Sequence, residues 1–211
     1  NNLTIEEATR GFATKSVYSP QWKNDNELTY IEAPYKSIIL KDVKGKTNTD
    51  YLKLEELEKA LIQKIGLDAS LKMIPFDYHW ENDKEIAFTY TSKSKYYVVY
   101  NRLSKSITKL IKYSVNAAEE VISPTKDYIV YLENNNINIA YENGTIIKVT
   151  NDELGILNGS SNTHRNEFGI DRGFWISPDG SKILFYKKNE QMVANYPLVD
   201  FSTRIAQEKP I

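Results

Sequence analysis

The amino-acid sequence predicts an all-β fold built from repeated strand–turn–strand units. Copies of one motif, an apolar strand end followed by a polar turn and a new strand, occur at residues 22–30, 80–88, 122–130 and 175–185. The turn residues suit the role, because Pro presets φ, Asn or Asp bonds its own backbone, and Gly supplies positive φ. The chain also has 15 Tyr against 2 Met, and short runs that alternate Tyr, Val, Ile and Thr favour strands.

The spacing of the motif indicates the architecture. Positions 22, 80, 122 and 176 are equivalent, and intervals of 58, 42 and 54 residues separate them. One four-stranded blade of a β-propeller takes about 40–50 residues. The sequence therefore predicts about four blades of a partial β-propeller over residues 1–211, starting near 17, 74, 117 and 172, with the last blade incomplete.

The first part of the chain predicts a short helix and then strands. Thr4 and Glu7 have the spacing of a capping box, and Gly11 marks the end of the short helix that they begin. The first blade then has predicted strands at residues 17–22, 27–33 and 37–43.

A helix inserted at about residues 51–65 explains the long first interval. Leu54, Leu57, Leu61 and Ile65 recur with helical spacing and form one apolar face. Asp50 is the predicted N-terminal cap, and a glycine at position 66 is where a helix often ends.

The remaining strands follow the same repeat. Asn143-Gly144 separates two strands of the third blade and is a strong turn signal. Residues 151–171 show no strand pattern, and polar loops of about twenty residues in compact domains usually have a function. The predicted strands are 74–80, 85–90, 96–101 and 106–111 in the second blade, 128–133, 136–141 and 145–150 in the third, and 182–186 and 192–199 in the fourth.

The tryptophans and the composition limit the possible ligands. Trp22, Trp80 and Trp175 occupy repeated positions, so we interpret them as blade core and not as a ligand platform. The net charge of −1 argues against a nucleic-acid partner. With no Cys and only 2 His, we expect no metal site, cofactor or disulfide. No apolar run approaches the ~20 residues of a membrane span.

Several separated segments resemble one known family. Residues 156–159, 166–170, 174–180 and 196–200 occur in the order found in the dipeptidyl peptidase IV family of prolyl oligopeptidase-type serine peptidases, in its bacterial branch. They are similar to the segment of the N-terminal propeller that bears that family's glutamate motif. The resemblance implies an eight-bladed propeller that covers an α/β-hydrolase domain, with peptide substrates entering a cavity between them. It also implies a periplasmic or secreted protein.

The catalytic part of such an enzyme is not expected within these residues. No Gly-x-Ser-x-Gly sequence occurs in the chain, and the hydrolase fold places its nucleophile on a strained turn with that sequence. We therefore expect the hydrolase domain to be absent, and the chain to be the non-catalytic propeller portion of a serine dipeptidyl or prolyl peptidase.

The resemblance places Glu167 on the glutamate motif, which in the family holds the free N-terminal ammonium of the substrate. A shielded carboxylate makes strong charge-assisted hydrogen bonds to an amine, and its position fixes how many residues precede the scissile bond. Asn166 stands where the motif has a second acid, so the predicted site has one charge and one amide oxygen.

A second interpretation comes from a different functional class. The Ser-Pro-Asp-Gly turn also occurs in periplasmic propellers of the TolB type, which are not enzymes, and such a chain would serve protein interaction. The loop at residues 151–171 distinguishes the two interpretations, because an interaction scaffold has no need of a shielded carboxylate there, whereas an amine-binding propeller does. In either case an open ring of blades exposes apolar faces and strand edges, so we expect a homo-oligomer.

Overall fold

The computed structural model describes residues 4–5, 9, 16–67, 69–164, 169–194, 197–200, 202, 204–205 and 207–210. The chain divides into two compact units, Asn1–Val115 and Asn116–Ile211. In the predicted N-terminal helix, Ile5 and Thr9 have helical backbone, and the Thr9 hydroxyl donates to the Ile5 carbonyl at 2.8 Å. Glu7 and Gly11, with which that prediction begins and ends the helix, lie outside the described residues.

The first sheet of unit one has four antiparallel strands in chain order. The sequence predicts three of them and misses the fourth. The strands are β1 (Tyr18–Trp22), β2 (Glu27–Ile31), β3 (Ser37–Asp42) and β4 (Thr47–Lys53).

Helix α1 (Leu54–Ile65) follows β4 directly, so the predicted start at about residue 51 is wrong. Asp50 is not its cap, because it pairs with Ile39 across the sheet and accepts a 2.9 Å hydrogen bond from the Ser37 hydroxyl. The predicted apolar face is confirmed at Leu54, Leu57 and Leu61, which are buried. Gly66 ends the helix with φ +121°, and its amide donates to the Ile62 carbonyl.

The second sheet completes unit one. Its four antiparallel strands also follow chain order. Three lie close to the predicted bounds, but the strand predicted at 74–80 is wrong at 74–78, because only its last two residues pair. One core joins the sheets and α1, including Ile31, Leu61, Phe88 and Val98. The strands are β5 (His79–Trp80), β6 (Glu85–Thr91), β7 (Lys95–Asn101) and β8 (Ser106–Tyr113).

The first turns of these two sheets have the same hydrogen bonds, which confirms the repeat. The side-chain oxygen of Asn24 accepts from the amides of Asn26 and Glu27. The side-chain oxygen of Asn82 likewise accepts from the amides of Lys84 and Glu85. Each asparagine holds a turn by bonding to the backbone two and three residues ahead.

The predicted core position is wrong for Trp22, which is 62% exposed. Its repeat equivalent, Trp80, is partly buried and donates a 2.8 Å hydrogen bond from Nε1 to the Thr29 hydroxyl in the preceding sheet. Among the described residues no sheet precedes Trp22, so it has no equivalent partner. Trp175 is also partly exposed.

Unit two begins with a third antiparallel sheet, in the order β12-β11-β10-β9. Asn134 and Asn135 have positive φ in the turn between β10 and β11, as a two-residue hairpin requires. Gly144, at φ +85°, forms the predicted turn between β11 and β12. The strands are β9 (Ala118–Ile122), β10 (Tyr128–Glu133), β11 (Asn136–Tyr141) and β12 (Ile146–Lys148).

Among its described residues, the rest of unit two has six short strands, paired two by two and antiparallel. The first of them lies within residues 151–171, where the sequence predicts only a loop. That prediction is wrong at 156–158, because three residues are too few to show a strand pattern. The strands are β13 (Ile156–Asn158), β14 (Phe174–Ile176), β15 (Ile183–Phe185), β16 (Lys187–Asn189), β17 (Pro197–Asp200) and β18 (Gln207–Pro210).

Candidate functional site

Strands β13 and β14 lie end to end along one continuous partner. β14 pairs with β15 and β13 pairs with β16, and Tyr186 alone separates β15 from β16. The Tyr186 amide donates to the Gly173 carbonyl at 2.9 Å, and its carbonyl accepts from the Gly159 amide at 2.8 Å. Gly159 and Gly173 therefore lie next to each other in the sheet, although residues 160–172 stand between them in the chain.

The two ends of this segment, which we call the β13–β14 loop, are in backbone contact. A Cβ atom built on Gly173 would lie 2.4 Å from the carbonyl carbon and oxygen of Gly159 and from the Ser160 carbonyl oxygen. Only glycine allows this approach. The described ends of the segment are therefore held together, and chain segments whose ends meet in this way frequently have a function.

The predicted amine-binding residues belong to this loop. Glu167 and Asn166 lie outside the described residues, so their side-chain positions stay a prediction. The described residues before them form a short 3₁₀ turn, Ser161–His164, and Gly169 follows them with φ +72°.

A carboxylate that the sequence analysis did not single out holds the start of the loop. Both side-chain oxygens of Glu119 lie 3.0 Å from the Ser161 amide nitrogen. The Ser161 hydroxyl also donates to Glu119 Oε1 at 2.8 Å. No sequence signal marks Glu119, because 42 residues separate the two partners.

Buried amide side chains fix the strand that leads into the loop. Asn158 is completely buried, and its side-chain nitrogen donates to the Asn135 carbonyl, to Asn136 Oδ1 and to Asp152 Oδ2. Asn136 Oδ1 also accepts from the Asp152 amide at 2.8 Å and from the Thr150 hydroxyl at 3.0 Å. These bonds join the turn between β10 and β11, the start of β11, residues 150–152 and β13.

An ion pair extends this network to β16. Lys187 Nζ lies 2.8 Å from both carboxylate oxygens of Asp152. The hydrogen bond from Lys187, with a further one from Asn158, lowers the pKa of Asp152. Asp152 is therefore ionised at neutral pH. Its carboxylate connects Asn158 of β13 with Lys187 of β16.

Among the described residues, no group of three or more His, Asp or Glu side chains could hold a metal ion. In the part of the chain that the structure describes, no helix is long and apolar enough to cross a membrane. The β13–β14 loop is the candidate site, because the resemblance places Glu167 on it and the described contacts fix its ends.

Successive antiparallel sheets of four strands, repeated in sequence and with equivalent turns between their first two strands, define the class of β-propeller proteins. The sequence model described as the dipeptidyl peptidase IV (DPP IV) N-terminal region matches residues 80–210. The chain belongs to this family. The matched segment includes the whole β13–β14 loop and the strands that hold it.

Curated relatives agree with this family. A protein of Sordaria macrospora assigned as dipeptidyl-aminopeptidase B is 30% identical over 127 residues, which are 56% of this chain and 14% of that protein. A protein of Neurospora crassa with the same assignment is 29% identical over 127 residues, with the same shares. The chain thus spans about one seventh of the curated relatives that it matches.

Solved structures show the same fold. A protein of Bacteroides ovatus assigned as a dipeptidyl aminopeptidase IV superposes with a TM-score of 0.72 at 24% identity, over 95% of this chain and 27% of that one. Porphyromonas gingivalis dipeptidyl peptidase 4 superposes with a TM-score of 0.54 at 16% identity, over 99% of this chain and 31% of that one. These likenesses confirm the predicted fold class.

Proposed function

We propose that this chain is the substrate-binding propeller portion of a DPP IV-like serine exopeptidase. In this role it controls the entry of peptides to a separate hydrolase domain, and Glu167 with Asn166 binds their free N-terminal amine. Family membership supports the enzyme class, and the resemblance supports a periplasmic or secreted location. The resemblance also favours a peptidase propeller over an interaction scaffold of the TolB type.

The observation that carries the proposal is the construction of the β13–β14 loop. Its ends contact each other through Gly159 and Gly173, and the Glu119 carboxylate fixes its first described turn through Ser161. An amine anchor has to stand at a fixed distance from the scissile bond, because small misplacements cost large factors in rate. A loop held at both ends meets this requirement.

The substitution Glu167→Gln in the full-length protein tests the proposal. One charge-assisted hydrogen bond to the substrate amine is lost, which costs roughly 1.5–3 kcal/mol, or about ten- to a hundredfold in kcat/KM for peptides with a free N-terminus. Residual cleavage of N-acetylated peptides is expected to change less than about twofold, because they present no ammonium.

Glu142→Gln is the matched control, since Glu142 is an exposed glutamate in the turn after β11, and its removal changes the net charge equally. Unchanged kcat/KM of the Glu167→Gln protein on free-amine peptides would contradict the assignment. Lack of peptide cleavage by the intact full-length protein would favour the interaction scaffold.

A further inference from the structure

Glu119 has an unusual backbone conformation within a strand. Its φ is +52°, in the left-handed region that residues with a Cβ rarely adopt. The register between β9 and β10 shifts at the same place, because Val130 pairs with Val121 whereas Leu132 pairs with Ala118. Glu119 therefore belongs to a β-bulge, and bulges redirect side chains, often next to functional sites.

The bulge directs the Glu119 carboxylate to the start of the β13–β14 loop. It accepts hydrogen bonds from the amide and the hydroxyl of Ser161, at 3.0 and 2.8 Å. Ser161 is the first residue of the 3₁₀ turn, and an amide at that position has no partner within the turn. Both bonds are charge-assisted, which makes them stronger than bonds between neutral groups.

The turn has a second support from a neighbouring buried side chain. The Ser160 hydroxyl accepts a hydrogen bond from the Asn162 amide at 3.2 Å, and Ser160 is only 4% exposed. The Ser160 carbonyl oxygen also lies close to Gly173, the residue that precedes β14. The third sheet thus holds the loop through Glu119, and the β13–β14 junction holds it through Ser160.

We propose that Glu119 is a positioning residue for amine recognition: from the bulge in β9 it sets the place of the loop that bears Asn166 and Glu167. The inference rests on the proposed function. Glu167 lies six positions after Ser161 in the chain, so a shift of Ser161 is passed to the segment that binds the amine. Glu119 itself does not touch the substrate.

The test compares Glu119→Gln with the parent in the full-length protein. Glutamine keeps the size of the side chain but loses the charge, and its NH2 group, a donor, replaces one of the two oxygens that accept from the Ser161 amide. We expect kcat/KM for free-amine peptides to fall about tenfold, mainly through KM, because amine binding is misaligned. Cleavage of N-acetylated peptides is expected to change less than about twofold.

Two further variants distinguish a positioning effect of Glu119 from a general loss of folding. Ser161→Ala removes only the hydroxyl bond, so a smaller loss of the same free-amine preference is expected. Glu142→Gln also removes one charge, and no change is expected. Glu142 follows Tyr141, which pairs with Tyr128 at the start of β10, whereas the bulge lies near the other end of β10, where Leu132 pairs with Ala118. Hydrogen exchange at the Ser161 amide should become faster in the Glu119→Gln protein and stay unchanged in the Glu142→Gln protein.

A double variant, Glu119→Gln with Glu167→Gln, separates this inference from the proposed function. If Glu119 acts through the amine site, the two losses are less than additive. Normal free-amine preference in the Glu119→Gln protein, together with a loss in the Glu167→Gln protein, would overturn the inference and leave the proposed function standing. Normal preference in the Glu167→Gln protein would overturn both. A Glu119→Gln protein that loses activity equally on free-amine and acetylated peptides would overturn the positioning role.

Discussion

Side-chain oxygens hold the turn between β14 and β15. The Ser177 hydroxyl donates to Asp179 at 2.5 Å, and the Ser181 hydroxyl donates to the same carboxylate at 2.7 Å. The Ser177 oxygen in turn accepts from the Lys182 amide at 2.9 Å. Gly180 has φ +70°, and the Tyr128 hydroxyl donates to its carbonyl at 2.6 Å. Specific hydrogen bonds of Ser177, Asp179 and Ser181 therefore hold this turn.

The hydrogen bonds from Ser177 and Ser181 lower the pKa of Asp179 to about 2. An aspartate in an unfolded chain has a pKa of about 3.9. Because the folded-state pKa is the lower one, this carboxylate stabilises the fold above about pH 3.9, and the contribution is lost as the pH falls towards 2. We expect Ser177→Ala to raise the pKa of Asp179 towards 3.9, measured by NMR titration of the side-chain carboxyl.

Ser181→Ala is the comparison for that titration, since Asp179 would keep the bond from the Ser181 amide. We expect a smaller rise of the pKa there. An Asp179 titration midpoint that stays near 2 in the Ser177→Ala protein would contradict the assignment of the shift to this hydroxyl.

Single residues also show what the sequence could and could not predict. The roles of Asn24 and Asn82 follow from local chemistry, since each bonds to backbone two and three residues ahead. Glu119 and Ser161 stand far apart in the chain, so only the folded sheet brings them together. Trp22 is exposed because its surroundings, and not its place in the repeat, decide its burial.

At the scale of elements, length and the pattern of polar and apolar residues together decide which strands can be predicted. β10 and β11 match the predicted bounds, because six alternating residues and a two-Asn turn give a clear pattern. β13 has three residues and gave no pattern. β4 was missed because its exposed polar residues precede an apolar helical face directly, and the helical spacing was extended backwards over residues 51–53.

The close backbone contact at the β13–β14 junction leads us to expect that a single added methyl group, in Gly173→Ala, lowers the free energy of unfolding. In the Gly173→Ala protein the new Cβ would lie 2.4 Å from backbone atoms of Gly159 and Ser160, which cannot rotate away as a side chain can. Such overpacking typically costs about 1–3 kcal/mol of the free energy of unfolding. We expect a loss in this range by urea unfolding, with faster hydrogen exchange at Gly159 and Tyr186.

Gly45→Ala is the control, because the nearest atom to a Cβ there is the Asp42 carboxylate oxygen, the end of a flexible side chain. Its expected cost is within about 1 kcal/mol. Equal stability of the Gly173→Ala protein and the parent would show that the loop ends are less closely held than the structure indicates.

At the scale of the whole molecule, the sheet of β14 and β15 is apolar on both faces. On one face Phe174, Ile176 and Ile183 pack against the core of the third sheet. On the other, Trp175 pairs with Leu184 and stacks edge-on against Tyr186 at 5.4 Å between ring centroids. Leu184 is 70% exposed, and together with Phe185 these side chains line an open hollow of about 400 Å³.

Exposed apolar surfaces often mark sites of association, so the homo-oligomer expected from the sequence is tested at this surface. We expect the mean mass from light scattering to rise above that of a monomer with increasing concentration. Leu184→Lys should shift the protein towards monomer, because the new charge would have to be desolvated in the contact. The substitution places a polar side chain at a position already open to water, so the free energy of unfolding of the monomer should change by less than about 0.5 kcal/mol.

Exposed leucines elsewhere provide the control for this experiment. Leu103 is 63% exposed in the turn between β7 and β8, away from the hollow in sequence and in sheet. Leu103→Lys adds the same charge and should leave the concentration dependence of the mean mass unchanged. If the parent stays a monomer at high concentration, or if both substitutions reduce its mass equally, the β14–β15 face does not mediate the association, and the expectation of a homo-oligomer through this surface is wrong.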